Sequence, residues 1–144
     1  MANKESEPLK GDFEGFSTTR IGKIGETAVI HDLATNYPEF DIYIPLVDDK
    51  GCDILVNTGS NFKRVQIKTI TRSRYATSVE LKVKKHIIMK HRIDVMAVWF
   101  GPIRKIAYIP WKGQERVQLA YRRAKNGQEK ERDWFYNYME FPVF

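Results

Sequence analysis

One cysteine, Cys52, stands in 144 residues, so no disulfide forms within the chain and a reducing cytoplasm suits it. No apolar run approaches the roughly 18 residues that a membrane helix takes. The opening MANKESEPLKGDFEG lacks the apolar core of a secretory signal, so a cytoplasmic location with no membrane partner is expected. The three histidines, His31, His86 and His91, show no zinc-like spacing and read as structural or phosphate-contacting. Neither glycine-rich phosphate loop, G-x-x-x-x-G-K-[ST] or G-x-G-x-x-G, occurs, which removes nucleotide-loop chemistry. Repeats and low-complexity tracts are also lacking. The length fits one domain with a core of its own: a loosely held lead-in over 1–16, then a single domain over 17–144.

What the chain has is basic charge in one place. Residues 63–92 carry ten Lys/Arg against one acid, Glu80, a net of +9 that leaves −3 for the rest of a chain of net +6. A block of this kind suits a polyanion, and DNA is the expected partner; the plainer reading is a solvated basic face. Arg72, Arg74, Lys82, Lys84, Lys85 and Lys90 are the candidates for backbone phosphates, with Tyr75 as a groove or stacking contact.

Periodicity orders the rest. Ser17 to Asn36 reads as a helix capped by Ser17, Thr18 or Thr19 and stopped before Pro38. Val29, Ile30, Leu33 and Ala34 share one arc, with Glu26 projecting from its middle. A carboxylate there needs a partner, either a structural Lys or Arg or a site. FDIYIPLV reads as an edge strand ended by Pro45, and CDILVN and FKRVQIKTI as a hairpin around NTGSN. TSVELKVK alternates Val79, Leu81 and Val83 inward as a strand, and KHIIMKHR reads as a short helix. DVMAVWF and KIAYIPW are two more strands joined by GPIR, the first apolar enough to be central. RVQLAYRR fits a strand or a helix. The closing aromatics either complete the core or form a subunit interface.

The hairpin brings polar groups together. If Asn57 pairs near Phe62, Asp53 falls opposite Gln66, about 5 Å away. Gln66 and Lys68 share a face about 7 Å apart, while Val65 and Ile67 face the other way. A helix laid on the polar face adds Glu26. Two carboxylates (Asp53 and Glu26), an amide oxygen from Gln66 and the Ile67 backbone carbonyl form a hard oxygen set suited to Mg²⁺, with Mn²⁺ as the alternative. Lys68 is placed to orient an attacking water and offset negative charge in phosphodiester hydrolysis. Cys52, beside Asp53, reads as a small buried side chain, and the Asp48–Asp49 pair as a solvated turn or a remote second metal site.

GETAVIHDLA, GCDILVN, RVQIKT and DVMAVWFGPIRKIAYIPW, in that order, resemble the PD-(D/E)xK nuclease superfamily over about residues 20–110. The Q-x-K branch, which includes intron-encoded homing endonucleases, is the nearest in pattern. The resemblance implies a restriction-endonuclease-like α/β fold, a mixed β-sheet flanked by helices. It also implies a metal-dependent DNA endonuclease, with Glu26 as helix acid, Asp53 as strand aspartate and Gln66 and Lys68 as the third motif. Cys52-Asp53 replaces Pro-Asp, and Gln66 replaces an acid, so a catalytically inactive nucleic-acid-binding module stays the alternative. Because one such site cuts one strand, a homodimer or homotetramer is expected.

Overall fold

Ser17 begins the only α-helix among the described residues: its Oγ accepts from the Arg20 N–H at 3.2 Å, and helix α1 runs over Thr18–Asn36. The computed structural model describes residues 13–47, 52–73, 75–84, 93–123 and 132–144. KHIIMKHR, with His86, His91, Lys85 and Lys90, lies outside these residues, as do Arg74 and the Asp48–Asp49 pair.

Among the described residues seven strands follow α1: β1 (Asp41–Tyr43), β2 (Ile54–Asn57), β3 (Phe62–Ile70), β4 (Ser78–Lys82), β5 (Val95–Phe100), β6 (Lys105–Pro110) and β7 (Arg116–Ala120). Five form a mixed sheet in the order β1-β2-β3-β5-β6, and β4 pairs with β7 in a separate antiparallel sheet. The β2–β3 hairpin has the expected register, Asn57 opposite Phe62 and Ile54 opposite Val65. β3 and β5 run parallel, and β5, buried at all six positions, is central as its apolar run predicts. Within RVQLAYRR, Arg116–Ala120 form strand β7.

Two cores sandwich the main sheet. On one face Val29 and Leu33 of α1 pack on Val65, Val95 and Ala97. On the other, Met96, Val98 and Phe100 meet Val79 and Leu81 of β4 and Leu119 of β7. The far face of the sheet is therefore covered, among the described residues, by a β-ribbon. Ala34, expected within the apolar arc, is exposed; the buried line of α1 is Gly25, Val29 and Leu33, at i, i+4 and i+8. Of the closing aromatics, Phe135 and Phe141 are buried, one in each core, while Tyr136 and Phe144 stay exposed.

Close approach fixes how α1 lies on the sheet. A Cβ on Gly25 would sit 1.8 Å from Thr69 Oγ1 and 2.8 Å from Thr69 Cβ. Only glycine lets the helix backbone come this near β3.

Candidate active site

β2 is four residues long and β3 nine, so β3 outruns its hairpin partner. Beyond Val65 the edge of β3 that would face β2 is open. Asp53, just before β2, occupies that edge: its N–H donates to the Val65 carbonyl at 2.9 Å, and its Oδ2 accepts from the Ile67 N–H at 2.7 Å. The carboxylate thus continues the ladder where the strand stops. A residue in a strand points its N–H and C=O to the same side, so the Ile67 carbonyl faces this edge beside Asp53.

A cleft of about 410 Å³ opens here. Asp53, Gln66, Ile67 and Lys68 line it from the sheet; Glu26, Lys23 and the first turns of α1 line it from the helix. All four side chains expected at the site border one space. The route differs from expectation at Glu26. Val65 and Ile67, not Gln66 and Lys68, face α1, because the helix needs their apolar side chains for its own buried line. Glu26 reaches the cleft from the opposite face, past the open edge of β3.

The electrostatics are uneven. Glu26 pairs with Lys23 Nζ at 3.2 Å, one turn earlier on the helix. Lys23 is not among the expected site residues, and Thr18 and Thr19 are expected only as helix caps; the spacing of three between Lys23 and Glu26 is the signal that the sequence carries for this pair. Lys68 is exposed. Gln66 is half-buried, and its Oε1 is fully enclosed yet accepts no hydrogen bond within the structure. Such a carbonyl costs about 1–3 kcal/mol unless something satisfies it. A cation would do so, and the oxygen donors of the residues that line this cleft (the Asp53 carboxylate, the Gln66 amide and the Ile67 carbonyl) are the kind Mg²⁺ takes. Among the described residues no three of His, Cys, Asp and Glu cluster, and the donors that line the cleft are hard oxygens.

Cys52 is next to this site in the chain, and its surroundings work against a thiolate. Burial pushes its thiol up from the ordinary range despite a backbone hydrogen bond from Val65, and its Sγ–H donates to the Ile54 carbonyl at 2.9 Å. Of the expected DNA contacts, Arg72, Lys82 and Lys84 are exposed. Lys82 shares Glu80 with Arg116, at 3.3 and 2.8 Å. Desolvation acts against ionising Glu80, but hydrogen bonds from Lys82 and Arg116 prevail and hold its carboxyl below the usual range. Tyr75 is half-buried, its carbonyl accepting from Tyr121 Oη at 3.4 Å and its N–H donating to Ser73 Oγ. No helix among the described residues is long and apolar enough to cross a membrane.

Comparison with known proteins bears on the fold. The fold is similar to that of a bacterial homing endonuclease, I-Ssp6803I, at 14% identity and a TM-score of 0.65, covering 85% of this chain and 86% of that one. A Holliday junction resolvase, Hjc from Archaeoglobus fulgidus, is similar at 13% identity and a TM-score of 0.45, over 69% of this chain and 84% of that one. No curated protein matches the sequence. The model of the PD-(D/E)XK endonuclease family matches residues 16–141, nearly the whole of the chain, and the chain belongs to that family.

Proposed function

We propose that this chain is a Mg²⁺-dependent DNA endonuclease whose site is the cleft between α1 and the open edge of β3. The observation that carries the reading is the enclosed, unsatisfied Oε1 of Gln66, a residue that lines one cleft with Asp53, Glu26 and Lys68. Asp53, Gln66 and the Ile67 carbonyl would hold the cation, with Glu26 at a longer reach; Mn²⁺ has the same ligand preference. When bound, the ion supplies Lewis-acid polarisation of the scissile phosphate.

The protein groups do the rest. Lys68, on the same face as Gln66 and open to solvent, orients the attacking water and offsets the negative charge that develops on the phosphoryl oxygens. Lys23 holds the Glu26 carboxylate against the cleft. The Ile67 N–H fixes the Asp53 carboxylate in one orientation. Water adds to phosphorus and gives up a proton to solvent, the ester bond to the leaving oxygen breaks, and that oxygen takes a proton from solvent, so the two transfers balance. Arg72, Arg74, Tyr75, Lys82, Lys84, Lys85 and Lys90 are proposed to hold the DNA around this point.

Each chain carries one such cleft, so a double-strand cut takes two copies related by symmetry, as a homodimer or within a homotetramer. A homing, restriction or junction-resolving role fits the same chemistry. The test is digestion of supercoiled plasmid and of branched DNA with Mg²⁺ and with EDTA. Nicking or linearisation that EDTA stops, and that Lys68→Ala abolishes, supports the proposal. DNA binding with no cleavage under any divalent ion would leave a binding module with a nuclease fold.

A further inference from the structure

Gln66 and Lys68 line a second cleft as well. It lies on the other side of these residues, toward β4, and encloses about 250 Å³. Two more lysines, Lys82 and Lys84, stand at it, and its remaining described walls are Val83, Ile93 and Met96. Lys82 and Lys84 are exposed, whereas Ile93 and Met96 are buried, so ammonium groups rim an apolar floor. The Glu80 carboxylate beside Lys82 is shared with Arg116, which leaves the rim cationic.

That composition selects a ligand class. A bare anion would use the lysines and leave the apolar floor idle. An apolar metabolite would use the floor and gain nothing from three ammonium groups. A nucleoside phosphate uses both, its phosphate at the rim and its sugar or base edge on the floor. The volume is below the roughly 300 Å³ at which pockets for drug-sized ligands begin, which suits one nucleoside unit.

We propose that this cleft is a nucleotide subsite, binding the unit next to the phosphate held at the neighbouring site. The proposal rests on the nuclease reading for its place in the reaction but not for its chemistry. A DNA strand passing over Lys68 would have one phosphate in the larger cleft and the adjoining nucleoside in this one. Gln66 and Lys68 are the wall between them.

The test is a binding titration of the full chain in EDTA, followed by the methyl signal of Met96 in methionine-labelled protein and assigned with Met96→Leu. The probes are inorganic phosphate, deoxythymidine 5′-monophosphate and a deoxy-trinucleotide. The monophosphate should shift the Met96 methyl and bind about tenfold more tightly than phosphate, equivalent to about 1.4 kcal/mol. Lys84→Ala should weaken the monophosphate several-fold. A trinucleotide that binds tighter than the monophosphate assigns the cleft to a DNA strand, and equal affinity assigns it to a free nucleotide. Phosphate binding as tightly as the nucleotide, an unmoved Met96 methyl, or an indifferent Lys84→Ala variant overturns the proposal. Because no metal and no cleavage enter the measurement, an inactive protein that still binds nucleotide would sink the nuclease reading and leave the subsite standing.

Discussion

Gly25→Ala tests how the helix acid is placed. The added Cβ would lie 1.8 Å from Thr69 Oγ1, 2.8 Å from Thr69 Cβ and 3.0 Å from Thr69 Cγ2. A change of Thr69 rotamer can move Oγ1 and Cγ2, but Thr69 Cβ belongs to the strand and stays. Helix α1 must therefore back away from β3 by about 1 Å to restore ordinary contact. Overpacking of this kind costs about 1–3 kcal/mol, and the better helix propensity of alanine returns about 1 kcal/mol. The net loss of up to about 2 kcal/mol should lower Tm by up to about 6 °C for a chain of this size. Cleavage should suffer more than stability, because Glu26 is the next residue and a displacement of about 1 Å at a reacting group can cost on the order of 100-fold. Gly22, three residues earlier, would meet nothing within 4 Å, so Gly22→Ala should raise Tm slightly. Thr69→Gly removes all three clashing atoms. Gly25→Ala placed on that background should restore cleavage to within about threefold of Thr69→Gly alone, a non-additivity expected of residues in contact. Thermal melts and initial rates on the four proteins decide the matter. If Gly25→Ala leaves both Tm and rate unchanged, or if its effect simply adds to that of Thr69→Gly, the close approach does not position Glu26.

Gln66→Glu puts a carboxylate beside Asp53. Without Mg²⁺ the variant should melt below wild type, and with Mg²⁺ it should gain at least as much as wild type does; a destabilised variant blind to Mg²⁺ would show that Gln66 is no ligand. Lys84→Ala should lower the slope of log affinity for DNA against log salt by about 1, and an unchanged slope would place Lys84 away from the backbone. Tyr108, whose hydroxyl donates to Asp32 Oδ2, is held well above the usual tyrosine range by burial first and by Asp32 second. A raised folded-state value means stability that is present below the unfolded value of 10.0 and lost as pH climbs past it. Urea midpoints should therefore fall above about pH 10, and less steeply in Tyr108→Phe, which should also lose about 1 kcal/mol at neutral pH because Asp32 Oδ2 loses its donor while Asn36 Nδ2 still donates to Oδ1 at 2.8 Å; identical alkaline slopes would contradict this.

The hairpin was legible because its information is local. The turn NTGSN sets the register and the two-residue period sets the faces, so Asp53, Gln66 and Lys68 could be brought together before any fold was known. Glu26 was legible as a misplaced carboxylate but not as to its side. The sequence pattern marks which face of a strand is polar, and the helix instead needed the apolar face made by Val65 and Ile67. The β4–β7 ribbon stayed hidden for a different reason. Its partners are 36 residues apart at Glu80 and Arg116, with no turn linking them, and RVQLAYRR alternates too briefly to exclude a helix. The second cleft depends on that ribbon, so it too had no signal in one dimension. Gly25 and Thr69 each sit inside a motif, G-E and Q-I-K-T, yet only packing shows that they touch.

Asp53→Asn tests the central claim most directly. Asparagine keeps an oxygen that can accept from the Ile67 N–H, now 2.7 Å from Asp53 Oδ2, so the end of β2 should stay in place while the charge is lost. Measured on supercoiled plasmid with Mg²⁺, beside a binding assay on the same DNA in EDTA, the variant should bind within a few-fold of wild type and cleave at least about 100-fold more slowly. A variant that binds and cleaves like wild type would contradict the account, since the cleft at the open edge of β3 could not then be where the phosphodiester is broken.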